Sequence, residues 1–289
     1  MNPTFKNNEL QQQFEKNGFV KVRLLSAEKA KELREFYLTT AQEHNVVDTA
    51  YHTTSHTGNP ELIKKVNVKF RDLMTAATAE HLDNFKPFIC NFLVKEPDED
   101  STLLFHQDWC FVDEREYMSL NVWVALEDVG EKNGSMKFIP GSHKWMPTVR
   151  PAPTYPWAYE LVKDKLEDYA ITIPALAGEG FIFSHSTVHA SAANLSNEVR
   201  VAGVLGIYSA DAQLNYYFRD EERGTAVEVY QMHYEDFYSL KHHGRPDQSK
   251  YVRTFHFEFP QMAPSQLPPN PKAPLQKSWL KRLQSYFSR

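Results

Sequence analysis

From Pro87 onward the chain breaks into short runs of β-branched and aromatic residues divided by turn residues, and this rhythm limits the fold more than any other feature. The runs cover residues 88–94, 102–109, 117–126, 136–140, 170–173, 180–184, 199–209 and 251–259. Strands this short protect their edges by pairing antiparallel and closing on one another, so a sandwich or barrel is expected. Asn133-Gly134 is a tight-turn signal, and Pro140-Gly141-Ser142-His143 closes the run that follows it. Residues 144–169 hold Trp145, Tyr155, Trp157 and Tyr159 among several prolines without a clear period, as a lid over a site or a packed surface excursion does.

The N-terminal part has helical periodicity instead. Residues 7–17 carry Leu10 and Phe14 at helical spacing and stop at Gly18; residues 19–25 alternate as a strand, and Ser26 caps a helix whose buried face is Ala30, Leu33, Phe36, Tyr37 and Ala41. Residues 45–60 read as a loop, so His44, His52 and His56 are taken as solvated, and residues 61–84 repeat Leu62, Val66, Phe70, Leu73 and Ala77 as a further helix. With 289 residues, 42% of them hydrophobic, the chain can bury a large core. One domain over 1–289 is expected: helical support over 7–84, a β core over 87–259, and a Pro-rich extension over 260–289 with a short amphipathic helix at 278–287. A net charge of -5 with scattered Lys and Arg argues against nucleic acid as a partner. The start MNPTFKNNEL lacks a leader pattern, and no apolar run nears the ~18 residues of a membrane span, so a soluble, cytoplasmic protein is expected. Cys90 and Cys110, the two cysteines, have no ligand spacing and read as reduced thiols. No feature sets an oligomeric state.

Against this background the triplet His106-Gln107-Asp108 stands out, since on a strand its imidazole and carboxylate share one face, with Gln107 turned away. Chance alone supplies such a triplet about 0.6 times in a chain of this composition. A second copy, His81-Leu82-Asp83, falls at a helix end, where residues two apart diverge by about 200° around the axis, and it is set aside. Support comes from residues 178–208, which read as strand, polar turn and strand. With Leu195 and Ser196 in the turn, Ser191 faces Arg200, and His189 shares their face. His185, four residues earlier, has the same parity and competes with His189. Two imidazoles and one carboxylate on one face of an octahedral metal are the mark of non-haem Fe(II) oxygenases, and Arg200 is a planar fork suited to a buried carboxylate.

Taken together these residues resemble the phytanoyl-CoA dioxygenase family of Fe(II)/2-oxoglutarate oxygenases. The resemblance runs from Phe14-Glu15-Lys16-Asn17-Gly18-Phe19-Val20 through His106-Gln107-Asp108-Trp109, Val122-Trp123-Val124-Ala125-Leu126, Asn133-Gly134-Ser135-Met136, Pro140-Gly141-Ser142-His143 and Gly178-Glu179-Gly180 to His189, Ser191, Asn194 and Arg200. It implies a mainly β protein with flanking helices and a double-stranded β-helix (jelly-roll) core. It further implies Fe(II) held by His106, Asp108 and His189, and 2-oxoglutarate paired with Arg200 and Ser191. His189 is preferred to His185 because it stands at the distance from Arg200 that the family pattern requires; Asn91, Gln107 and Trp123 match positions near the cosubstrate. The expected activity is O2-dependent oxidation of a C–H bond in a small molecule, hydroxylation by default, with release of succinate and CO2; Asp108 fills the position that a small residue takes in related halogenases, which argues against halogenation and leaves desaturation, epimerisation or ring formation open. The substrate range that comes with the resemblance is lipid thioesters, amino acids and natural-product scaffolds. Candidate pocket segments are 110–117, 144–169 and 211–253, the last with Tyr216, Tyr217, Arg219, His233 and His242-His243. The alternatives are a non-catalytic jelly-roll that binds a metal or small ligand and a structural β-sandwich.

Overall fold

The computed structural model describes residues 1–44, 49–241 and 244–269; His242, His243 and the expected helix at 278–287 lie outside them, and the side chain of His56 is likewise not described. Three helices form where the sequence signals their ends. Helix α1 (Asn8–Asn17) is capped by the Asn7 side chain, which accepts from the amides of Glu9 and Leu10 at 2.8 and 3.1 Å, and it stops at Gly18 with φ 83°. Helix α2 (Ala27–Glu43) starts from Ser26, and α3 (Pro60–Ala79) from Asn59 with Pro60 in its first turn.

Two expectations for this region are corrected. Helix α3 ends before His81, and Leu82–Asp83 pairs with Thr4–Phe5 as a short ribbon. The second His-x-Asp copy is therefore not helical. Among the described residues it still belongs to no ligand group: His81 Nε2 meets the Arg23 carbonyl at 2.9 Å and Asp83 faces Lys6 at 3.5 Å. The stretch read as a loop contains the strand Tyr51–Thr53, and His52 is buried there: its Nδ1 donates to the Thr49 carbonyl and its Nε2 accepts from Tyr37 Oη at 2.9 Å.

The strands are β1 (Phe19–Arg23), β2 (Tyr51–Thr53), β3 (Phe85–Lys95), β4 (Leu103–His106), β5 (Ser119–Ala125), β6 (Met136–Phe138), β7 (Ile171–Ile173), β8 (Glu179–Ser184), β9 (His189–Ser191), β10 (Arg200–Ser209), β11 (Asn215–Arg219), β12 (Ala226–Gln231) and β13 (Tyr251–His256). A major sheet runs β1-β8-β5-β10-β3-β2 and a minor sheet β7-β6-β9-β4. They face each other through Trp123, Phe181, Phe183 and Val204 on one side and Met136, Phe138 and Ile173 on the other. The fold is mainly β with this jelly-roll core. The outer face of the major sheet carries the helices: Cys90, Phe92, Val94, Val122, Val124, Val201 and Leu205 pack with Leu33, Leu62, Val66 and Phe70. Alternation along β3, β5 and β10 thus sends Asn91, Asn121, Trp123 and Arg200 inward, away from the helices.

Gly203 lies where α3 comes closest to the sheet, and a Cβ there would run into the Phe70 ring. Gly203→Ala is therefore expected to cost about 1–3 kcal/mol through overpacking. A urea midpoint unchanged from wild type would contradict that packing.

Strands β11, β12 and β13, with Ala152–Pro153 at one edge, form a further sheet; β11 and β12 lie in a stretch read only as candidate pocket. Tyr216, Tyr230, Met232 and Phe237 from this region pack behind Trp109 and Phe111. Segment 144–169 divides its duties. Tyr159, Val162 and Leu166 are buried against Trp145 and Tyr169, while Pro153, Thr154, Tyr155 and Trp157 line the interior cavity. The start of the C-terminal extension covers that packed half, with Met262 buried and the Pro268 carbonyl accepting from Tyr169 Oη at 2.9 Å.

Candidate active site

The minor sheet creates the centre of the site by register. Strand β9 pairs with β4 so that His189 lies directly opposite His106, and the two imidazole centroids are 4.3 Å apart. Each ring is oriented the same way: Nδ1 of His106 meets the Leu104 carbonyl at 2.8 Å, and Nδ1 of His189 meets the Thr187 carbonyl at 2.9 Å. A carbonyl can only accept, so both Nδ1 atoms carry the proton and both Nε2 lone pairs are left for a ligand. Burial, then the neighbouring His106, pushes His189 down to about 4, which keeps it neutral near pH 7.

Asp108 completes the group by a route the alternation argument did not foresee. Strand β4 ends at His106, so residues 107 and 108 are not on a strand. Asp108 is held instead by its surroundings. Its amide donates to the His185 carbonyl at 3.0 Å, its carbonyl accepts from Arg150 Nε at 2.7 Å, and its Oδ2 accepts from Asn121 Nδ2 at 3.0 Å. The carboxylate comes within 3.8 Å of His189 Nε2, and one ligand atom from each of His106, Asp108 and His189 lies within 4.8 Å of the others. Burial alone would raise the Asp108 carboxyl, but His189, His185, His106 and Arg150 outweigh it and hold it below its ordinary value. Arg150, 1% exposed, is anchored by both Glu114 carboxylate oxygens at 2.6 Å.

The early end of β4 also removes the difficulty with Gln107. Its side chain turns inward, lines the cavity and donates to the Ser186 carbonyl at 2.6 Å, while Tyr155 Oη donates to its backbone carbonyl at 3.1 Å.

The expected hairpin between Ser191 and Arg200 does not form. Residues 178–191 are not one strand: β8 lies in the major sheet, the chain crosses at 185–188, and β9 lies in the minor sheet. Residues 192–199 then cross back to β10. Asn194 pins that crossing, its Nδ2 donating to the carbonyls of Lys95 at 2.9 Å and Glu198 at 2.7 Å. Ser191 and Arg200 nevertheless line one cavity, because they approach it from facing sheets. His185 falls in the first crossing. It lines the same cavity but lies outside the ligand group, its ring nitrogens buried.

Arg200 is 1% exposed. Its Nε donates to the Asn133 carbonyl at 3.3 Å and its Nη2 to the Gly134 carbonyl at 3.5 Å, while Nη1 has no partner. Among the described residues no carboxylate pairs with it; Glu127, which acts on it from farther off, is engaged by Arg34 at 2.9 Å. Burial pushes the guanidinium down to about 10. The turn that holds it needs glycine: at Gly134, φ is 92°, and a Cβ would come within 2.8 Å of Lys95 Cδ and 2.9 Å of the Ala192 carbonyl.

The cavity has a volume of about 630 Å³ and contains all eight residues singled out from the sequence: Asn91, His106, Gln107, Asp108, Trp123, His189, Ser191 and Arg200. Asn91 accepts from Thr54 Oγ1 at 3.4 Å, and Trp123, 1% exposed, has an unpartnered Nε1. Of the candidate pocket segments, 110–117 contributes Phe111, while Tyr216, Tyr217, Arg219 and His233 stay outside the cavity. Asn121, Arg150 and Tyr51 were missed. Asn121 had a signal, as a polar residue facing inward in an apolar strand. Tyr51 had none, because its strand was read as loop, and Arg150 had none, because its role depends on the distant loop it grips.

Comparison with known proteins agrees with this architecture. Phytanoyl-CoA dioxygenase domain-containing protein 1 of Danio rerio is 36% identical over 110 residues, 36% of this chain and 35% of that one; the Bos taurus protein of the same name is 32% identical over 118 residues, 38% of this chain and 40% of that one. The matched stretch thus spans well under half of either relative. Among solved structures, the non-heme alpha ketoglutarate dependent carbocyclase SnoK from nogalamycin biosynthesis superposes with a TM-score of 0.52 at 23% identity, covering 72% of this chain and 86% of that one. The epimerase SnoN, in complex with Fe3+, alpha ketoglutarate and nogalamycin RO, superposes with a TM-score of 0.51 at 21% identity, covering 71% and 84%. These two show a shared fold. Residues 8–202 match the family model for phytanoyl-CoA dioxygenase, more than half of the sequence, and the chain belongs to that family.

Proposed function

We propose that this protein is an Fe(II)/2-oxoglutarate-dependent oxygenase that oxidises a C–H bond of a small organic molecule, with hydroxylation as the default outcome. The observation that carries the reading is one cavity holding both a two-histidine, one-carboxylate donor set and a buried guanidinium without a carboxylate of its own. The donor set fits iron(II): two Nε2 lone pairs are freed by hydrogen bonds at Nδ1, and one carboxylate is kept ionised. When bound, the iron and the keto acid would supply an oxidising equivalent from O2, with succinate and CO2 as products. His106, Asp108 and His189 would hold the metal, with room beside them in the cavity for cosubstrate and O2. Arg200 would pair with the distal carboxylate of 2-oxoglutarate, with Ser191 adding a hydroxyl donor and Asn91, Gln107 and Trp123 walling the same end. The protein's part is to orient the C–H bond and to keep bulk water from the centre.

The reading is tested by incubating the protein in air with Fe(II) and 2-oxoglutarate and following succinate. Succinate that requires iron and stops on replacing it with Zn(II) supports the oxygenase. Tight binding of both Fe(II) and 2-oxoglutarate without succinate, for any substrate in a metabolite library, would favour the non-catalytic binding protein. Asn121→Ala, which removes the hydrogen bond to Asp108, is expected to weaken Fe(II) affinity by about 10–100-fold. An unchanged affinity in anaerobic titration would remove Asn121 from that role.

A further inference from the structure

The cavity walls beyond the donor set and the guanidinium have their own chemistry. Of the lining side chains that can carry charge, His106, Asp108, His189 and Arg200 are already assigned, which leaves His185. Its ring nitrogens are buried, and its ring stands edge-on to Phe88 and Phe111 at centroid distances of 6.3 and 5.6 Å. No lysine, glutamate or second arginine lines the cavity among the described residues. Aromatic rings take that place. Phe105 comes from β4, Trp109 and Phe111 from the loop after it, and Tyr155 and Trp157 from segment 144–169, while Phe88 of β3 is fully buried and backs Phe111 at 4.8 Å.

Among the described residues, the cavity lining near Thr154 adds no cation for an anion. Thr154 Oγ1 donates to the Glu221 carboxylate at 2.6 Å, and Arg223 and Arg245 are paired with Glu228 at 2.6 and 3.1 Å; Arg219, which bonds the carbonyls of Gly224 and Thr154, lies outside the cavity lining. A carboxylate or phosphate carried into the aromatic end by a substrate would be desolvated without a partner, which disfavours its binding. A flat neutral skeleton, in contrast, gains both apolar burial and ring contacts. The volume of about 630 Å³, which the metal and the keto acid would share with the substrate, falls within the range of small-molecule sites.

We propose that the substrate is an uncharged, ring-bearing organic molecule held by face and edge contacts from Phe105, Trp109, Phe111, Tyr155 and Trp157, and that coenzyme A thioesters and free carboxylic acids are poorly accepted. This rests on the oxygenase reading, from which the keto acid takes Arg200. The test is calorimetric titration at neutral pH, under argon, of protein loaded with Fe(II) and saturating 2-oxoglutarate. The probes are 2-naphthol, 2-naphthoate, 1-decanol and octanoyl-coenzyme A. The expected result is that 2-naphthol binds about tenfold or more tighter than each of the others. Trp157→Ala is expected to weaken 2-naphthol about tenfold, and Thr154→Lys, which adds a cation at the edge, to strengthen 2-naphthoate. Tighter binding of 2-naphthoate or octanoyl-coenzyme A overturns the neutral class. Tighter binding of 1-decanol, or 2-naphthol binding insensitive to Trp157→Ala, overturns the ring contacts. The visible absorption of the Fe(II)–keto acid chelate, read in the same samples, separates the two levels. If it is missing, the oxygenase reading fails; if it is present while 2-naphthol binds no better than the others, only the substrate class fails.

Discussion

Asp108→Ala is expected to bring succinate formation down to the no-enzyme background while the chain still folds. The carboxylate is the one anion beside His106, His185 and His189, and its pKa stays below the ordinary value despite burial. Without it, two imidazoles remain, and the loss should exceed the 10–100-fold typical for removing an outer hydrogen-bond partner of a metal ligand (about 100-fold or more in Fe(II) affinity). The loop itself should persist, because its anchors are backbone contacts: the Asp108 amide to His185 and the Asp108 carbonyl to Arg150. Retained iron after desalting, succinate by NMR and a thermal melt measure the three quantities. Turnover like that of wild type in this variant would defeat the assignment of Asp108 as a ligand.

Arg200→Met is expected to separate stability from cosubstrate binding. In the free protein the guanidinium is desolvated, holds only two long contacts to backbone carbonyls, and leaves Nη1 without a partner. Replacing a buried charge by an apolar chain of similar length is commonly neutral or stabilising, so the melting temperature should hold or rise. Removing one partner of a buried charge pair costs about 2–5 kcal/mol in binding, so the 2-oxoglutarate Kd should increase by a factor of about 30 or more. A variant that unfolds, or one that binds 2-oxoglutarate as tightly as wild type, would contradict the role given to Arg200. Arg150 makes a useful contrast. It is equally buried but grips Glu114 with two bonds at 2.6 Å, which raises its pKa despite burial, and it is part of the framework.

The β-rich core was legible because it depends on short-range rules, and the set of cavity residues because their motifs match the family pattern. Alternation places Asn91, Trp123 and Arg200 on the inner faces of their strands whatever their partners. The helix ends at Gly18, Ser26 and Asn59 are chemical signals within a few residues. Pairing was not legible. Sequence adjacency suggested that Ser191 and Arg200 share a hairpin, whereas the chain changes sheets between them, and His189 pairs with His106 across more than eighty residues. The hairpin argument brought Ser191 and Arg200 together for the wrong reason: two facing sheets deliver them to one cavity as readily as one hairpin does. Asp108 shows the limit of periodicity, since its position is set by Arg150, Asn121 and His185 and not by a strand.

The central claim is that one cavity chelates Fe(II) and 2-oxoglutarate together. Anaerobic addition of both to the purified protein tests it most directly. The account predicts a broad visible absorption that appears only when both are present and is lost in Asp108→Ala. No such band in protein shown to have bound Fe(II), or a band undiminished in Asp108→Ala, would contradict it.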